Sequence, residues 1–72
     1  MADYVQTWRR RLRLKELTEL AQNEIKKGRE KEEIYKKLDL EMKSRWNLVT
    51  TTRKQYLLDI NRILTGQYVL SS

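Results

Sequence analysis

The 72-residue chain has no cysteine, histidine or proline, and its 16 Lys and Arg exceed its 10 Asp and Glu to leave a formal charge of +6. A chain this short supports one domain with a thin core, held by helix packing and at most a second subunit, without disulfides or a thiolate metal cage. Lacking the usual catalytic base, the thiolate nucleophile and the best zinc ligands, it is expected to be non-enzymatic, free of metal and cofactor, and drawn to polyanions.

Residues 1–7 lack the basic-then-apolar layout of a secretory signal, and no apolar run approaches the roughly 20 residues of a membrane span. A cytoplasmic protein with no membrane partner is the expectation, and the absence of cysteine fits a reducing compartment. The charge is unevenly spread. Residues 8–15 hold Arg9, Arg10, Arg11, Arg13 and Lys15 with no acid, whereas residues 29–46 balance six bases with five acids. A solvated Lys/Glu surface of the thermophile kind is the alternative reading of the same charge.

The first element is a helix over 14–27, with Leu14, Leu17, Leu20, Ala21 and Ile25 on one face at about 100° per residue. Extended backwards, that face would carry Arg10 and Arg13, while Val5, Trp8 and Leu12 fall opposite. One buried face cannot hold both sets. Either the helix breaks near residues 12–14 or residues 1–13 form a basic arm or helix extension projecting from the body. Trp8 is expected to pack on a neighbouring helix, the alternative being an aromatic that stacks in a groove. Gly28 and Gly66 are placed to end helices in the left-handed conformation.

The second helix, over 30–45, gathers Ile34, Tyr35, Leu38, Met42 and Trp46 in one sector and leaves Leu40 outside it. Glu30, Glu32, Glu33, Asp39 and Glu41 alternate with lysines at helical spacing, the pattern of surface ion pairs rather than of a metal cluster. The third helix, over 51–64, keeps its period through Val49, Thr52, Tyr56, Leu57, Ile60, Ile63 and Leu64. Its other face presents Thr51, Lys54, Gln55, Leu58 and Arg62. In the tail, 67–72, Tyr68 and Val69 favour strand, but no second strand follows to complete a wing. The fold class is therefore all-α: a three-helix bundle over 14–66, with the arm before it and the tail after it.

Between the second and third helices, residues 46–57 meet the needs of a helix-turn-helix. Trp46 closes the first helix, Asn47 tolerates positive φ, Leu48 plugs the turn, Thr50 or Thr51 caps the next helix, and Thr52 and Tyr56 face inward. The stretch resembles the Trp-Gly-Val-Ser pattern, followed by Thr and then Tyr-Leu, that recurs in helix-turn-helix and winged-helix DNA-binding domains of prokaryotes. It matches at Trp46, Leu48, Thr52, Tyr56 and Leu57, the resemblance covering about 25 residues, 33–57, and departs at Asn47 for glycine and Val49 for the capping serine.

The resemblance implies that the third helix enters the major groove of duplex DNA, with Thr51, Lys54 and Gln55 as base readers and Leu58 extending apolar contact to thymine methyls. Arg53 and Arg62 would flank that face and meet phosphates, as would Arg9, Arg10, Arg11 and Arg13 of the arm. Transcription regulation is the use it points to. Two other readings stay open. One is a protein-interaction module, or a homodimer, docking through Val5, Trp8 and Leu12; the other is RNA binding dominated by the arginine-rich arm.

Overall fold

The computed structural model describes the backbone of residues 2–67 and the side chains of residues 8–67. Among the described residues there are three helices and no strand: α1 (Ala2–Lys26), α2 (Lys31–Trp46) and α3 (Thr50–Leu64). Each helix packs against both others. The side chain of Val5 and the tail residues Tyr68 and Val69 lie outside the described residues.

The core is the set that helical periodicity brings inward. Leu14, Leu17 and Ala21 come from α1, Ile34, Leu38 and Met42 from α2, and Tyr56 and Ile60 from α3. Leu20, Tyr35, Trp46, Leu48, Leu57 and Leu64 close over it, half-buried. Trp46, on the inward sector of α2, thus borders the core rather than joining it.

All three helices end in the ways their sequences allow. Gly28 and Gly66 have φ of 82° and 81°, where a Cβ would be strained. In each case the next amide turns back to a carbonyl of the helix, Arg29 to Glu24 at 3.1 Å and Gln67 to Arg62 at 2.8 Å. Asn47 takes the left-handed role at φ 52°, and the Leu48 amide reaches the Met42 carbonyl at 3.4 Å, which turns the Leu48 side chain back onto the core. The start of α3 departs from expectation. Val49, extended at φ −73° and ψ 162°, is its N-cap and provides no side-chain hydrogen bond, so neither Thr50 nor Thr51 caps the helix. Val49 precedes the helix and Thr52 lies in its first turn on the side away from the core, and both are exposed rather than inward-facing.

Helix α1 does not break. Its 25 residues, about 37 Å at 1.5 Å per residue, outrun the 16 and 15 of its neighbours, and the excess forms an extension at its N-terminal end. The conflict between its two faces is resolved by chemistry. Arg10 and Arg13 stay on the inward side because their aliphatic stems lie along the bundle and their heads find partners there. Arg10 donates to the buried Asp59 and lies over the Tyr56 ring at 5.1 Å, while Arg13 lies over Trp46 at 5.2 Å. Trp8 and Leu12, on the other side, are 61% and 42% exposed, so Trp8 does not pack on a neighbouring helix.

At the opposite end of α1 the buried line runs through Glu24, 4% exposed, and leaves Ile25 at the edge, 49% exposed, against the expectation that Ile25 is core. The carboxylate is tolerated because Lys37 reaches it from α2 at 3.2 Å, Lys27 at 3.3 Å and Arg29 at 3.6 Å. The Lys37 ammonium holds the Glu24 carboxyl below its ordinary value of 4.5, outweighing the burial that would raise it, and Lys27 adds to the effect. A carboxylate lowered in the folded state stabilises the fold above its unfolded value, and that contribution is lost as the pH falls through the lower, folded one. Urea titrations of the parent and of Glu24→Gln should therefore differ at pH 7 and converge as the pH drops below 4.5. A constant difference between the two across that window would show that the three cations do not act through the charge of Glu24.

Candidate nucleic-acid interface

Packing of Tyr56 and Ile60 into the core fixes the rotation of α3 and thereby turns Thr51, Lys54, Gln55, Leu58 and Arg62 outward. All five are exposed, Leu58 to 53%. They share one side because the helical period stacks positions 51, 54–55, 58 and 62 in a row. Beside the row lies a groove of about 460 Å³ between α2 and α3, lined by Lys31, Tyr35, Lys54, Leu57, Leu58 and Asn61. The Tyr35 hydroxyl donates to Asn61 Oδ1 at 2.8 Å, tying the two helices together there, and the Lys31 ammonium lies over the Tyr35 ring at 5.7 Å. Lys31 and Lys54 thus set two ammonium groups around a largely apolar surface. Lys31 was not among the residues singled out from the sequence; its place as the first residue of α2 is the signal that would have drawn attention to it.

The arginines divide into two kinds. Arg62 keeps its side chain 54% exposed and stands 3.7 Å from Asp59. Arg53 does not flank the outer face as expected. Its side chain is 13% exposed, its Nε donates to Asp39 Oδ1 at 2.8 Å and its Nη1 to the Leu48 carbonyl at 2.6 Å. It binds the turn between α2 and α3 together, because its position on α3 turns it toward α2 rather than toward solvent. Arg10 is likewise engaged inside the fold through Asp59 and Tyr56. Asp59 therefore sits between Arg10 from α1 and Arg62 from its own helix.

Arg9 and Arg11 are exposed on α1. Arg13 faces a cleft of about 290 Å³ lined also by Arg9, Leu12, Glu16, Arg45 and Trp46. Arg45, which the sequence reading did not single out, has its guanidinium 5.0 Å from the Trp46 ring and 3.0 Å from Glu16. The cationic surface thus has two parts, the outer row of α3 with Lys31, and the flank of α1 against the end of α2. Amide, ammonium, guanidinium and hydroxyl groups on these surfaces can donate to base edges and phosphate oxygens.

Among the described residues no helix is long and apolar enough to cross a membrane, and no group of three acidic side chains is placed to hold a metal ion. No family model, curated protein or solved structure matches the chain.

Proposed function

We propose that the chain is a small, basic, non-enzymatic domain that binds duplex DNA, with α2, residues 47–49 and α3 acting as a helix-turn-helix and the outer row of α3 lying in the major groove. The observation that carries this reading is the exposed row of Thr51, Lys54, Gln55 and Leu58 on a helix whose opposite side is locked into the core. Rigid support matters because a base contact requires a side chain held in one register on the duplex. Gln55 suits adenine, Lys54 guanine, and Thr51 and Leu58 the thymine methyl. Arg62, Lys31 and the exposed arginines of α1 suit phosphates, while Arg53 and Arg10 act as supports of the scaffold. Transcription regulation is the use such a reading domain would serve.

Fluorescence anisotropy with labelled duplex, single-stranded DNA and structured RNA, each at several salt concentrations, tests the proposal. Duplex should bind tightest, and three or four phosphate contacts should give log K against log salt a slope of about −3. Tighter binding to structured RNA would favour the arginine-rich flank of α1 as the whole interface and set the groove-reading role aside. A second reading has its own observation. The exposure of Trp8 and Leu12, one turn apart on α1, favours docking of a protein partner on that side.

A further inference from the structure

We propose that the cleft around Trp46 is a seat for one phosphodiester of the bound nucleic acid, held between Arg13 and Arg45 with Arg9 at its rim. The inference rests on the nucleic-acid reading above and deepens it by assigning a phosphate site that includes a residue of α2. Three guanidinium side chains and one carboxylate line the cleft, together with Leu12 and Trp46. Trp46 is half-buried against the core and serves as a fixed floor. The Arg13 and Arg45 guanidinium carbons lie 5.2 Å and 5.0 Å from its ring centroid, and both side chains line the same cleft, so one ring steadies both cations beside it.

Attraction to the ring acts through the charge and leaves the guanidinium N–H donors able to bond oxygen. On Arg45 the oxygens at hand belong to Glu16 at 3.0 Å and Glu41 at 3.8 Å. Those side chains are 49% and 38% exposed and Arg45 is 51% exposed, so these are solvent-screened pairs that a phosphate can replace at small cost. The two unesterified oxygens of a phosphodiester can accept from both guanidinium groups at once, whereas Glu16 and Glu41 meet Arg45 through the same nitrogen. Position supports the same assignment. Trp46 is followed directly by residues 47–49 and the first turn of α3, so the cleft lies beside the end of α3 that leads into the groove in the proposed docking. A backbone phosphate bordering that groove is the group a side chain at this place would meet.

The test uses the full chain carrying Trp8→Phe, so that Trp46 is the one tryptophan left to report. Unlabelled duplex should change Trp46 emission on binding. In labelled-duplex anisotropy, Arg13→Gln combined with Arg45→Gln should weaken binding about tenfold for every sequence tried and lower the steepness of the salt dependence by about one. The Lys pair, Arg13→Lys with Arg45→Lys, should keep most of the salt dependence while losing affinity, because the charge remains and the forked donors do not. Duplex binding with unchanged affinity and slope in the Gln pair would overturn the seat and leave the wider function standing. No duplex binding by the parent would overturn both. Should the Gln pair lose its helical circular dichroism, Arg9→Gln at the exposed rim carries the same test, and an unaltered salt slope there would equally overturn the seat.

Discussion

Replacing Ile60 by alanine is expected to cost about 2 to 5 kcal/mol, enough to leave much of the protein unfolded. Ile60 is fully buried, and among the described residues it shares a core of eight buried apolar side chains drawn from all three helices. In a core so small a truncated side chain leaves a cavity that the neighbours cannot close without drawing α3 away from α1 or α2. A single hydrophobic core in a chain of this size rarely supplies more than about 3 to 5 kcal/mol, so the loss approaches the whole margin. Urea unfolding followed by circular dichroism at 222 nm measures it. A midpoint close to that of the parent would show that α3 is not held by this face, and the outward row would lose its fixed orientation along with it.

The second large effect belongs to recognition. Changing Lys54 and Gln55 together to alanine is expected to reduce discrimination between a selected duplex site and unrelated duplex by about 1 to 3 kcal/mol for each base that is no longer read. Both side chains are exposed and neither belongs to the core, so the helical signal and unfolding midpoint should stay close to the parent's. The salt slope should also change little, since the phosphate contacts are assigned to other residues. The measurement is competition anisotropy against a site chosen from a random library with the parent protein. If the double variant discriminates as well as the parent, the outer row of α3 does not read bases. The chain would then be better described as a binder of backbone alone, or as a partner-docking module whose third helix is structural.

These two experiments probe opposite faces of one helix. The buried face was legible in the sequence except at its start, where Val49 and Thr52 are exposed. Tyr56 and Ile60 repeat at the helical period, as do Leu14, Leu17 and Ala21 on α1 and Ile34, Leu38 and Met42 on α2, and all are buried. The helix ends were legible for the same local reason: Gly28, Asn47 and Gly66 are residue types that accept positive φ, and all three adopt it. The outer row followed by subtraction, because fixing one side of a helix fixes the other.

What the tertiary structure alone decided concerns charge. Arg10 and Asp59 are 49 positions apart, and Arg53 and Asp39 are 14 apart, so nothing local announces either pairing. Without Asp59 for Arg10 and the Trp46 ring for Arg13, the two arginines on the inward line of α1 read as a reason to break the helix, and without Asp39 Arg53 reads as a surface cation; with them α1 runs on unbroken and Arg53 fastens a turn. Glu24 likewise displaced Ile25 from the buried line, because Lys37 on the facing helix supplies the charge that lets a carboxylate lie there. Apolar periodicity is a property of one helix and can be read along the chain. The balance between desolvating a charge and pairing it depends on where the other two helices bring their side chains, and that is set only when the three are packed together.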